Sequence, residues 1–157
     1  MGRGTKHKKG FFAQHPVCCF CGGHTSATTI DHIPARSMFK DRAWPENYEF
    51  PACQACNACS ASQEQVVAML ARVGNPEPTE DEICEYRGLL QGIQNNCPDA
   101  LREMQPTANQ ARGFLRDRSM RLGSGRTTKD LPLLSVRGPL VRNAIDTFAR
   151  KLFLALH

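Results

Sequence analysis

No segment of this sequence approaches the roughly 20 consecutive apolar residues that a membrane-spanning helix requires. The apolar C-terminal stretch is interrupted by Arg142, Asp146, Arg150 and Lys151. The N-terminus, MGRGTKHKKGFF, is basic but lacks the apolar run of a secretory signal peptide. These absences argue against a membrane partner and lead to the expectation of a soluble, cytoplasmic protein. The stretch LGSGRTTKD contains glycines without the Gly-Lys-Ser/Thr ending of a phosphate-binding loop. It reads as a flexible basic loop. No internal repeat is present, and no βαβ pattern surrounds the cysteines, which disfavours a thioredoxin-like redox protein.

The charge is uneven. The net formal charge is +5. Residues 1–59 carry 7 Lys/Arg against 4 Asp/Glu, residues 60–101 carry 2 against 7, and residues 102–157 carry 11 against 4. Basic segments flanking an acidic one suit a polyanion partner. The plain alternative is a solvated surface.

Residues 1–13 read as a disordered basic arm, whose Lys6, Lys8 and Lys9 are candidate phosphate contacts. Residues 14–74 are dense in turn and strand signals and form one module. Cys18 to Gly23 reads as a tight knuckle, with glycines allowing the turn. Ala27 to Ile30 and Tyr48 to Phe50 are short β-prone runs. A helix follows Cys53 to Cys56, with Val66, Val67, Leu70 and Ala71 at helical spacing and Gly74-Asn75-Pro76 as its stop. Residues 75–157 read as a helical extension packing on or beside the module. Thr79 to Glu82 fits a capping box for a helix over about 80–93, and Pro98 opens another over about 98–105. Residues 106–130 read as a basic, turn-rich connection. In the last helix Val141, Ala144, Ile145, Phe148, Ala149, Leu152, Phe153 and Leu156 share a stripe that reads as core. A homodimer face is the alternative. Arg142, Asp146, Arg150 and Lys151 are placed on the other faces. The fold class is therefore α+β, a small module with a mainly α-helical C-terminal extension.

Eight cysteines in such a chain favour a metal over disulfides. Cys18-x-x-Cys21 and Cys53-x-x-Cys56 supply the four thiolates of a closed tetrahedral zinc site. Cys56-x-x-Cys59 rivals the second pair. The earlier pair is preferred because it frees Asn57. Cys19, Cys59, Cys84 and Cys97 read as small apolar fillers, and His24 as a solvent-exposed histidine.

Between the pairs lies Thr28 to Phe39, TTIDHIPARSMF. Asp31 and His32 point to opposite sides of an extended chain. A histidine can take a proton near neutral pH. Alone, Asp31-His32 reads as a surface turn, Asn47 as a turn residue and Asn57 as a helix N-terminal residue.

Together, the order Cys-x-x-Cys, Asp-His-Ile-Pro, Asn, Cys-x-x-Cys-Asn resembles the HNH endonucleases, over about residues 16–65. The resemblance implies a treble-clef-like ββα-metal fold and a metal-dependent endonuclease that cuts or nicks DNA, leaving 5′-phosphate and 3′-hydroxyl ends. In it His32 resembles the general base and Asp31 the first ligand of the catalytic ion. Asn47 resembles the residue that holds the loop and the histidine's orientation. Asn57 falls at the second ligand position, where the family more often has histidine. An oxygen-rich Asp31/Asn57 site implies magnesium or manganese as the catalytic ion. Arg36 and Lys40 are candidate phosphate contacts, and Glu64 reads as a surface acid. The alternative is a zinc-stapled nucleic-acid-binding module without catalysis.

Overall fold

A computed structural model describes residues 3–43, 45–73, 77–130 and 133–157, with the side chains of 3–6 and 130 left undescribed. Its architecture is α+β, a two-stranded antiparallel sheet with a mainly helical remainder. In chain order the elements are α1 (Arg3–Gln14), β1 (Thr29–His32), β2 (Glu49–Ala52), α2 (Gln54–Ala58), α3 (Ala61–Ala71), α4 (Glu80–Asn96), α5 (Pro98–Met104), α6 (Ala108–Asp117) and α7 (Pro139–Leu156).

Residues 3–14 are helical, contrary to the expected disordered arm. Phe11 packs edge-on against Phe12 and against His15, and His7 reaches Glu49 at 3.4 Å. These contacts give the segment a reason to order that its charge pattern alone does not reveal. Lys8 and Lys9 are exposed on this helix, while the side chain of Lys6 lies outside the described residues. The expected Gly74-Asn75-Pro76 stop also lies outside them.

β1 starts two residues later than its β-prone run, and β2 starts one residue later and ends two later than its own. Thr29 pairs with Ala52, Ile30 with Pro51, Asp31 with Phe50 and His32 with Glu49. Pairing therefore extends across the whole Thr-Ile-Asp-His stretch. In the sheet's alternation, Asp31 is buried and His32 is half-buried.

The main core lies between α3, α4, α5 and α7. Val66, Met69, Ile93, Ala100, Met104, Val141 and Ala144 form one buried cluster. Helix α3 thus belongs both to the sheet unit and to the helical layer. Each helix begins where its sequence allows. Thr79 and Glu82 form a reciprocal capping box on α4, and Pro98 occupies the first turn of α5. Thr107 and Gln110 form a second capping box on α6, inside the region that reads as turns. Ala111, Phe114 and Leu115 give that helix its inward face. At the start of α7 the Glu103 carboxylate accepts from the Leu140 and Val141 amides at 3.1 and 2.9 Å.

Helix α7 is rotated relative to the expected stripe. It buries Val141, Ala144 and Lys151, and leaves Ile145, Phe153 and Leu156 exposed. The face turned inward thus includes a lysine that hydropathy assigns to solvent. No helix among the described residues is long and apolar enough to cross a membrane.

Candidate functional site

The first part of the site is a cysteine cluster. The Sγ atoms of Cys18, Cys21, Cys53 and Cys56 all lie within 4.8 Å of one another. Tetrahedral zinc holds thiolates at about 2.3 Å, which requires sulfurs this close. The donor set therefore fits a structural zinc. Backbone bonds build it. The Cys18 amide donates to Thr25 O at 2.9 Å and the Gly23 amide to Cys18 O at 3.0 Å. Gly22 and Gly23 adopt φ of 64 and 80, the left-handed region that glycine enters freely. The Cys19 amide donates to Pro51 O at 3.0 Å, tying the knuckle to β2. Cys53 caps α2 by accepting from the Cys56 amide at 3.4 Å. Without metal, burial pushes the Cys56 thiol up to about 12, whereas the Cys56 amide bond draws the Cys53 thiol down.

Cys59 stays outside the cluster, exposed, with its Sγ on Cys56 O at 3.2 Å. Cys84 is also exposed, so these two are not apolar fillers. Cys19 and Cys97 are half-buried, and burial pushes the Cys19 thiol up to about 11. His24 is exposed and not among the clustered ligands.

The second part is a polar cavity of about 370 Å³, whose lining includes Asp31, His32, Arg36, Arg42, Asn57 and Glu64. Of the expected catalytic and phosphate-contact residues, Asp31, His32, Asn57 and Arg36 thus meet here, whereas Asn47, Lys40, Lys8 and Lys9 do not line the cavity. Asn57 reaches back from α2, donating its amide Nδ2 to Thr29 Oγ1 at 3.0 Å. Thr29 Oγ1 in turn donates to Ala52 O at 3.0 Å. This chain locks α2 onto β1.

His32 faces Glu49 directly across the ladder, with Nε2 3.4 Å from Glu49 Oε1. Glu49 also draws in His7 at 3.4 Å and Arg36 at 3.9 Å. Burial lowers the His32 pKa below 6.5, Arg36 lowers it further, and Glu49 works in the opposite direction. A histidine so placed is mainly neutral at pH 7, the state in which it can accept a proton. Among the described residues no hydrogen bond joins Asn47 to His32. Asn47 is exposed, with φ 68, and serves the turn before β2. The histidine's neighbour is Glu49, which register reveals and local sequence does not.

Asp31 has two partners. Its Oδ1 accepts from the His32 amide at 2.8 Å, and its Oδ2 lies 2.6 Å from Lys151 Nζ. Lys151 also donates to Glu64 Oε1 at 2.6 Å and to Ser60 Oγ at 2.8 Å. The Phe20 ring covers the ammonium at 5.3 Å. Glu64 is therefore a site residue rather than the expected surface acid, with its side chain 13% exposed. Burial works to lower the Lys151 pKa, but bonds and charge from Asp31 and Glu64 outweigh it and raise it. Lys151 is a cation at neutral pH.

This arrangement bears on the magnesium or manganese ion expected at Asp31 and Asn57. A divalent ion on Asp31 Oδ2 would share that oxygen with the Lys151 ammonium. Two cations on one buried carboxylate oxygen repel strongly where the dielectric is low. With Lys151 in this position, the donor set does not fit a divalent ion at Asp31. Of the expected phosphate contacts, Arg36 lines the cavity, whereas Lys40 lies 3.9 Å from Glu82 and outside it. Arg42, held in a left-handed conformation at φ 55, lines the cavity unforeseen.

No family model, curated protein or solved structure matches the chain. The cysteine cluster, the two-stranded sheet and its helices are what the chain shares with the zinc-stapled ββα pattern.

Proposed function

We propose that this protein is a zinc-stapled HNH-type endonuclease that hydrolyses phosphodiester bonds in DNA. The observation that carries the reading is a single cavity that gathers Asp31, His32, Arg36, Arg42 and Asn57 beside a four-cysteine cluster. Zinc, when bound, closes the loop between the knuckle and α2 and so fixes β1 and β2. In this reading the His32 imidazole, its Nε2 turned to Glu49, takes a proton from water as the oxygen attacks phosphorus. The phosphorus–oxygen bond to the leaving strand breaks, and that oxygen gains a proton from solvent. Arg36 and Arg42 supply positive charge to the phosphoryl oxygens. The magnesium or manganese ion that the resemblance implies takes no part in this chemistry while Lys151 holds Asp31.

DNA would also meet exposed Lys8 and Lys9 on α1, and Arg112, Arg116, Arg118, Arg121 and Arg126 in and after α6. Such contacts give salt-dependent, sequence-tolerant affinity. A second reading has its own support. His32 faces Glu49, and Asp31 is held by Lys151, as in a structural network. On that reading the chain binds nucleic acid without cutting it.

Plasmid nicking by zinc-loaded protein separates the two, using wild type and His32→Ala, with and without added magnesium or manganese. Nicking that His32→Ala abolishes supports the enzyme. DNA binding without nicking of single- or double-stranded substrates or RNA, in every ion tried, leaves the binding module.

A further inference from the structure

We propose that Lys151 is the resident cation of this site, holding the position at Asp31 that a divalent ion takes in a metal-dependent nuclease. A divalent ion then binds there only by displacing it.

Three observations support this. First, the ammonium lies among three oxygens. It donates to Glu64 Oε1 at 2.6 Å and Ser60 Oγ at 2.8 Å, and forms an ion pair with Asp31 Oδ2 at 2.6 Å. Second, those oxygens come from two elements, β1 and the first turn of α3 with its N-cap Ser60, and they converge on one point as ligands of an ion do. Third, the group is sealed. The Lys151 and Asp31 side chains are each 6% exposed, and Phe20 of the knuckle lies over the charge. Asp31 and Glu64 are two acids drawn to one point, and without a cation between them they would repel. Lys151 supplies that cation from the chain itself, so α7 completes the site.

The inference bears on how the hydrolase reading works, and rests on it for that consequence alone. Cation occupancy at Asp31 can be measured whether or not the protein cuts DNA. The test is a manganese titration of the zinc-loaded full chain, followed by electron paramagnetic resonance. Wild type and Lys151→Arg should show no manganese site here over the titrated range. Lys151→Met should gain one, with an affinity about tenfold or more above the detection limit for wild type, because an adjacent like charge is removed. Adding Asp31→Asn to Lys151→Met should abolish that gain.

Wild type that binds manganese as tightly as Lys151→Met would overturn the proposal. So would a folded Lys151→Met that gains no site. If Lys151→Met does not fold, wild type decides alone by nuclear magnetic resonance. Manganese that broadens the Asp31 and Glu64 amides stoichiometrically sinks the idea, and intact signals support it. Nicking is assayed separately. Its absence would remove the hydrolase reading and leave the cation assignment standing.

Discussion

Lys151 Nζ lies 2.6 Å from Asp31 Oδ2, joining the last helix to the first strand. A buried pair of this kind stabilises little relative to apolar residues of the same shape, but breaking it leaves an uncompensated charge. Lys151→Met should therefore destabilise the fold by about 3–5 kcal/mol. The double variant Lys151→Met/Asp31→Asn should recover part of that loss. Urea denaturation of the zinc-loaded proteins checks both, and additive losses in the double variant would refute the coupling.

The zinc cluster predicts a division among the cysteines. Cys18→Ser and Cys53→Ser should lose the metal and much of the folded signal, because ion binding is part of folding in such a site. Cys59→Ser should keep one zinc per chain. Metal analysis with circular dichroism reads the difference. A Cys59→Ser protein that lost zinc would reassign the ligand set.

Zinc binding should also depend on pH. The ligating thiols must lose their protons, and metal-free Cys56 is held up to about 12 by burial. Protons then compete with zinc, so affinity should fall steadily as pH is lowered from 8 to about 6. Competition against a chromophoric chelator measures it, and a flat profile would contradict thiolate ligation.

His32 sets a prediction on rate. If it is the general base, His32→Ala should lower nicking by about 100-fold or more while leaving the melting temperature nearly unchanged. The base works when neutral, and burial holds its pKa below 6.5. Activity should therefore be full at pH 7 and fall only at acidic pH. Glu49 pulls the His32 pKa upward, so Glu49→Gln should shift that acidic limb to still lower pH. An acidic limb above pH 7 would point to a different base.

Exposed arginines predict the salt response. Replacing Arg112 and Arg116 with alanine should weaken binding across DNA sequences alike and make the salt dependence shallower, by about one phosphate contact per side chain used. Fluorescence anisotropy over a salt series tests this. An unchanged slope would remove α6 from the interface.

Much of the site was legible because its signals are local. Two Cys-x-x-Cys pairs announce a metal cluster, since one turn of chain suffices to aim two thiols at one ion. The caps of α4 and α5 are equally local, being written in Thr79, Glu82 and Pro98. The Thr107 to Gln110 box of α6 was equally readable, but the basic, glycine-rich loop that follows obscured it.

Other features depend on distant partners. The register that sets Glu49 opposite His32 is a property of two strands, and neither run states it alone. His7 of α1 meets Glu49 only once the distant strand β2 is in place.

By itself the sequence determined the four clustered thiols, the helical extension and the Asp31-His32 pair on an extended segment. Only the tertiary structure decided what faces that pair. Lys151 joins Ser60 from 91 residues away and Glu64 from 87, a separation that no periodicity reports. Hydropathy assigns a lysine in an apolar helix to solvent. Burying its charge becomes favourable only where Asp31, Glu64 and Ser60 converge to receive it.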